Sequence, residues 1–386
     1  MAIDGRPQAP RLWPRLAAGL TLVALAGVPS ADGPPAVPHA APTTPAQSQQ
    51  PPAPGGEATG PSDTPASAAG TPQPPAPASA SPPAAAPAAS VPVAAVTVST
   101  SAELAAALEA AQPGGTIELK DGGYTGKFVA AASGTAADPI TLTGSRAAVL
   151  SSGSLTSGYG LHITGSFWHI SGLSVANSAK GVVLDGSAHT VLSQIDVGGI
   201  GSEAVHFRAN STDCIIEDSD IHDTGLAKPG FGEGIYVGSA KSNWKSVMGS
   251  ATTPDRSDRV LIRGNRISRT SAEGIDIKEG TTGGAVTGNS FAGAGLSGAN
   301  SADSWVDVKG NGYIVSGNSG STTKLDALQV HNVLDGWGRD NVFAGNTVLG
   351  GVPGYEVWIQ SAGKGNSVRC RSSAAGRGQA NIPCTP

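Results

Sequence analysis

A short strand-like segment recurs over most of this chain at intervals of roughly 20 to 30 residues, a period that points to a solenoid. The segments GLHITG (160–165), GVVLDG (181–186), AVHFRA (204–209), GIYVGS (234–239), GIDIKE (274–279), WVDVKG (305–310), ALQVHN (327–332) and EVWIQS (356–361) superpose. Each alternates apolar and polar side chains, so one face is fit for a core and the other for solvent. A second strand-like family, from FWHISGLSV to NVFAGNTV, follows within the repeats. Glycine, asparagine and serine lie between the strands and supply turn conformations closed to β-branched residues. Strands that pair with their counterparts one coil later explain this spacing better than a hairpin-linked barrel or sandwich. The expected fold is therefore all-β, a right-handed parallel β-helix of roughly nine to ten coils. Asn265, Asn289, Asn318, Asn346 and Asn366 each follow a glycine, and we read them as a stacked turn ladder. Thr100 and Glu103 form a capping box ahead of the run at 104–111, which Pro113-Gly114-Gly115 ends. That predicts one amphipathic helix, placed to cover the open first coil.

The repeat occupies only 94–386. Residues 1–30 carry Arg6, Arg11 and Arg15 ahead of a short apolar run, Leu16 to Val28, and read as a secretory signal, either cleaved or retained as an N-terminal anchor. Between 31 and 93 the chain holds 18 of its 29 prolines, no Phe, Trp or Tyr and no lysine or arginine. Such a segment cannot bury enough apolar area to offset chain entropy, so it reads as a disordered Pro/Ala-rich linker. No second apolar run reaches membrane length, so no stable span is expected after processing. With 24 basic against 29 acidic residues, nucleic-acid binding through bulk charge is excluded. Cys370 and Cys384 bracket a Ser/Gly/Ala-rich tail and are expected to pair in an oxidising compartment, whereas Cys214 reads as a buried free thiol. The protein is expected to be secreted, in contact with the cell wall or free, and monomeric.

Stacked coils turn equivalent residues into columns with neighbours roughly 4.8 Å apart. If Ile275, Ile277, Val306 and Val308 point inward, three columns face outward. One holds Ala204, Gly234, Gly274, Trp305, Ala327 and Glu356; the next His206, Tyr236, Asp276, Asp307, Gln329 and Trp358; the third Arg208, Gly238, Lys278, Lys309, His331 and Gln360. An acidic set, Glu203, Glu233, Glu273 and Asp326, sits where the chain enters the strands. Stacking Asp276 on Asp307 and Lys278 on Lys309 costs energy unless opposite charges or a cation offset it. A flat strip of carboxylates, lysines and an exposed Trp305, with Tyr236, Arg208 and His331 nearby, suits an elongated acidic sugar chain. Excursions at 223–232, 239–258 and 292–302 flank this strip, and the second, which carries Trp244, reads either as a wall or lid over it or as a mobile decorated loop. The histidines are scattered, which sets a zinc hydrolase aside, and His206 and His331 read as surface residues.

The opening VSTSAELAAALEAAQPGGTIELKDGGYTG (98–126) and the stretch GTAADPITLTG (134–144) resemble the β-helical polysaccharide lyases typified by chondroitinase B and alginate lyases. That resemblance implies a Ca²⁺ ion held by carboxylates, a lysine that removes the proton beside a uronate carboxyl group, and an arginine one coil later that assists the leaving oxygen. The family's metal-binding Glu lies five residues before its lysine, so Glu273 corresponds to the ligand and Lys278 to the base. Lys309 stands at the place of the arginine, Ser271 replaces a second Glu ligand, and Asp276 or Glu233 can compensate for it. The expected activity is a Ca²⁺-assisted β-elimination on an acidic polysaccharide. The rivals are a non-catalytic polysaccharide-binding or adhesion β-helix, and an inverting glycoside hydrolase built on Asp276 and Asp307, whose adjacent-coil placement is short for inversion. Only a lyase creates a new ultraviolet-absorbing double bond.

Overall fold

The computed structural model describes residues 95–386; the leader expected over 1–30 and the linker over 31–93 lie outside the described residues. Its strands form three parallel sheets of eleven, nine and nine strands, and within each sheet a strand pairs with its counterparts one coil before and one coil after. The chain is thus an all-β, three-sheet parallel solenoid of roughly ten coils, as the repeat predicts. Thr100 caps helix α1 (Ser101–Glu109): its hydroxyl accepts from the Glu103 N–H, and the Glu103 carboxylate accepts from the Thr100 N–H. Leu104 and Leu108 on this helix are buried in the core with Ile117 and Tyr124. Among the described residues no helix is long and apolar enough to cross a membrane.

One sheet carries the repeated segments and positions everything that follows. In it Ile235, Ile275, Val306, Leu328 and Val357 stand in one register row, and Tyr236, Asp276, Asp307, Gln329 and Trp358 in the next. The first row is fully buried in the core. Burial of apolar area at about 25 cal/mol per Å² makes such rows the main source of stability and locks the register, because a one-residue slip would reverse both faces.

Alternation fails at the corner where the chain enters each strand. Ala204, Trp305, Ala327 and Glu356, expected to face outward, are all buried. The corner turns Ala204, Trp305 and Ala327 into the core, and the Trp305 ring stacks on Phe291 with centroids 5.6 Å apart. Glycine makes room for this pair: a Cβ at Gly274 would come within 2.9 Å of the Phe291 ring, and one at Gly320 within 3.1 Å of Trp305. Trp305 is therefore a core residue and offers no sugar platform.

The asparagine ladder is real and buried. Asn289 Oδ1 accepts from Asn265, Asn318 from Asn289, and Asn346 from Asn318, in each case from both the backbone and the amide nitrogen. Each amide satisfies turn donors that would otherwise be buried unpaired. Asn366 belongs to a separate rung, accepting from Asn341 at another corner. Cys370 and Cys384 form a disulfide, and Cys214 is a buried free thiol whose pKa burial raises to about 12.

Candidate active site

A cleft of about 630 Å³ opens on the sheet of repeated segments, and all three excursions reach it. Tyr236, Asp276 and Lys278 line its floor, with Glu203, Glu233 and Glu273 where the chain enters the strands. One wall is the turn holding Lys228, Gly230 and Phe231; the other runs from Ser239 to Val247 and includes the short helix α2 (Trp244–Met248). Asn300 comes from the third excursion. The second wall is anchored from below. Trp244 is buried and its indole N–H donates to the Ser239 carbonyl at 2.9 Å, so it supports the wall and does not face a substrate. Glu279 accepts from the Lys241 N–H at 2.6 Å, and buried Asp255 accepts from Ala209, Asn210 and the Ser239 hydroxyl.

Glu233, Glu273 and Asp276 bring one oxygen each to within 4.8 Å of one another, all buried. Burial, then the Asp276 and Glu203 charges, push the Glu233 carboxyl up to about 8. Burial and Asp276 also raise Glu273 well above the usual carboxylate range. Only Asp276 of the three has ion-pair partners among the described residues: Lys278 at 2.5 Å on one oxygen and Lys309 at 2.7 Å on the other. Two buried carboxyl groups that have no ion-pair partner among the described residues, facing a cleft beside a third carboxylate, are an oxygen-only donor set that suits a hard divalent cation. The residues implied by the resemblance fit the ion on this ground.

Lys278 lines the cleft with its ammonium 5.0 Å from the centre of the Tyr236 ring. Burial works to lower its pKa, but the surrounding carboxylates, Asp276 foremost and then Glu273 and Asp307, together hold it above an ordinary lysine. Asp276 lies between the Lys278 and Lys309 ammonium groups and attracts both. Burial, followed by Asp276 and Glu233, raises the Tyr236 hydroxyl well above its usual range, so it is a neutral phenol.

Lys309 does not line the cleft. It is 9% exposed and shared between Asp276 and Asp307, with Asp307 at 2.5 Å. Asp307 is itself buried and also accepts from His331 Nδ1 at 2.9 Å. Burial opposes its charge, but Lys309 and His331 prevail and keep the carboxyl well below its usual range. Asp307, Lys309 and half-buried His331 therefore form a closed network behind the site. Arg208 does line the cleft, held by both oxygens of Asp185.

His206 contradicts its reading as a surface histidine: it is buried, lines the cleft and packs edge-on to Tyr236 at 4.3 Å. Its Nε2 lies 2.9 Å from the Gly238 carbonyl. Glu203, paired to Lys180 at 2.6 Å, completes that end of the floor. Ser271, at the place of a second Glu ligand, donates to the Pro229 carbonyl at 2.9 Å. A carbon added at Gly225 or Gly232 would come within 1.7 Å or 2.1 Å of its hydroxyl, so glycine at both positions lets the loop close onto Ser271.

No family model and no curated protein sequence matches this chain. Among solved structures, an alginate lyase from Paenibacillus sp. str. FPU-7 is similar at 40% identity and a TM-score of 0.68, over 75% of this chain and 99% of the other. A lacto-N-biosidase from Eubacterium ramulus is similar at 13% identity and a TM-score of 0.52, over 68% of this chain and 54% of the other. PfbA, a surface adhesin of Streptococcus pneumoniae, is similar at 11% identity and a TM-score of 0.50, over 70% of this chain and 72% of the other. The last two share the fold alone and illustrate how many functions it carries. Identity of 40% over nearly the whole length of the Paenibacillus enzyme is of another order, and by it this chain belongs to that enzyme's family of β-helical polysaccharide lyases.

Proposed function

We propose that the protein is an extracellular, Ca²⁺-assisted lyase that cleaves a uronate-containing polymer such as alginate by β-elimination, with Lys278 as base and Tyr236 as acid. The observation that carries this reading is the pairing of Lys278 with Tyr236 on the cleft floor, directly beside three buried carboxyl groups. A Ca²⁺ ion held by Glu233, Glu273 and Asp276 would supply positive charge to offset the carboxylate of the uronate.

Lys278 in its neutral form takes the proton from the carbon beside the uronate carboxyl group. The C–H electron pair becomes the new carbon–carbon double bond, the bond to the leaving oxygen breaks, and Tyr236 gives that oxygen its phenolic proton. Lys309 takes the place of the arginine in the resemblance but serves as a positioning residue, fixing Asp276 from behind. Arg208 and Lys180 line the same floor and favour an anionic chain, although Asp185 and Glu203 offset part of their charge. The glycoside hydrolase reading loses its pair, because Asp307 is closed off behind the site by Lys309 and His331. The disulfide between Cys370 and Cys384 and the signal-like opening support an oxidising destination outside the cell.

The test is an ultraviolet absorbance screen over alginate, pectate, chondroitin and heparin-like polymers, with and without Ca²⁺. The expected result is rising absorbance on at least one uronate polymer, lost in Lys278→Ala. A flat trace on all of them overturns the reading.

A further inference from the structure

The turn between Thr224 and Gly234 forms one wall of the cleft and carries Phe231, an aromatic side chain left 57% exposed. An isolated exposed hydrophobic residue on a loose loop needs no explanation. This loop is not loose. Its carbonyls are taken in succession: Pro229 accepts from the Ser271 hydroxyl at 2.9 Å, Gly230 from the Asn300 amide at 2.9 Å, and Gly232 from the Thr224 hydroxyl at 2.5 Å. The Phe231 N–H closes a 3-10 turn onto the Lys228 carbonyl at 2.9 Å. At the loop's base Gly225 and Gly232 approach so closely that a Cβ on Gly232 would lie 2.4 Å from the Gly225 Cα. Three side chains from three separate elements thus fix a backbone whose one aromatic ring is given no core to enter.

Lys228 stands three residues before Phe231, lines the same cleft and forms no ion pair among the described residues. The other cations of the cleft differ: Lys180, Arg208 and Lys278 are each held by a carboxylate. We infer that Phe231 and Lys228 form a preorganised sugar subsite on the cleft wall, in which the ring of Phe231 stacks on a pyranose face and the ammonium of Lys228 meets the carboxylate of a uronate unit. The inference rests on the proposed uronate substrate and extends it to residues away from the proton transfers. An aromatic face suits the apolar C–H surface of a sugar, and a pinned loop makes the contact with little loss of conformational freedom on binding. Ser271 acts here as the loop's anchor, which accounts for a short hydroxyl residue at the place of a second carboxylate ligand.

Affinity electrophoresis of the full chain through gels containing alginate or pectate tests binding independently of turnover. Phe231→Ala is expected to weaken retardation about tenfold and Phe231→Trp to restore it, the size of one aromatic stacking contact. Lys228→Gln is expected to weaken binding to these polymers with a deficit that shrinks as salt is added, because the contact is charge-based. Where turnover is measured, Phe231→Ala should raise KM with kcat little changed. Retardation of Phe231→Ala equal to that of the parent, or a parent unretarded by every uronate polymer, overturns the subsite. A parent that is retarded without generating ultraviolet absorbance sinks the lyase reading and leaves the subsite standing. Phe231 is exposed, so coincident thermal unfolding of parent and variant separates lost contact from lost fold.

Discussion

The ammonium of Lys309 lies 2.7 Å from Asp276 on the preceding coil and 2.5 Å from Asp307 on its own, joining two buried carboxylates whose backbones stand in register. Like charges on adjacent strands are costly, and this shared cation offsets them for both carboxylates at once. Its own pKa is held up by Asp276 and Asp307 against the opposing effect of burial.

Removing that cation leaves Asp307 with His331 as its one remaining partner and Asp276 with Lys278. Breaking a buried ion pair from one side costs about 3 kcal/mol or more, since the remaining charge stays desolvated. Lys309→Met is therefore expected to lower unfolding free energy by about that amount in a denaturant titration. Lys127→Met, at an exposed lysine away from this network, should change it by less than about 0.5 kcal/mol, as exposed sites do. Equal values for the two would mean that the network contributes nothing.

The proton-transfer pair makes a prediction about pH. Lys278 is raised by Asp276 in the face of burial, and as a base it works only when deprotonated. Tyr236 is raised by burial and nearby carboxylates, and as an acid it works only while protonated. Both raised values move the active window the same way: activity climbs as Lys278 loses its proton and falls only once Tyr236 ionises. The profile of kcat/KM should rise from neutral pH into the alkaline range. A maximum at acidic pH would exclude Lys278 as the base.

The strand period was enough to place Tyr236, Asp276 and Lys278 on the same outward face of the sheet, since side-chain direction in a strand follows from parity alone. Parity says nothing about corners, and there the reading of Trp305 failed: a turn points its side chain inward, and the glycines that make space for it lie on other coils. Nor does it reveal which charged residues of a row remain open. Lys309 and Asp307 sit in the expected columns but are closed over by each other and by His331, a three-body arrangement with no signature in spacing. His206 was misread because its burial depends on Tyr236 and on walls contributed by the excursions. Phe231 and Lys228 lie in a loop whose conformation is set by Ser271 and Asn300, each distant in sequence. The excursions themselves were legible as interruptions of the period, and all three line the cleft.

On the outer surface, His222 joins two carboxylates, with Nε2 2.9 Å from Asp196 and Nδ1 2.6 Å from Asp223. Protonated, it donates to both; neutral, one ring nitrogen turns a lone pair toward a carboxylate oxygen. The Asp196 hydrogen bond, opposed by burial and aided by Asp223, raises its pKa. A raised folded value means that the stabilisation is complete below the unfolded histidine pKa of about 6.5 and is lost as pH rises through the folded value. Arg146 on Asp196 and Arg269 on Asp223 keep their charges throughout, so the histidine is the group that changes. His222→Asn should therefore lower Tm more at about pH 5.5 than at about pH 9. A difference between parent and variant that is constant with pH would show that the bridge is not charge-dependent.

The three carboxyl groups at the cleft give a test of the ion that needs no substrate. Without a cation, Glu233 is pushed up to about 8 by burial and its acidic neighbours, and Glu273 is raised as well. A divalent ion that replaces these protons stabilises the native state alone, by about 2.7 kcal/mol at a concentration one hundred times its Kd. Calcium is therefore expected to raise Tm, and a chelator to reverse the rise. Because the ion competes with protons at these groups, the shift should grow between about pH 6 and pH 9. Glu273→Gln keeps the side-chain shape and removes one anionic oxygen donor, so its Tm should respond to calcium weakly or not at all. In a low-calcium buffer the same substitution should cost little, since burial and Asp276 already favour the uncharged carboxyl that glutamine resembles. A Glu273→Gln protein with the parent's full calcium shift would remove Glu273 from the ligand set, whatever the outcome of activity assays.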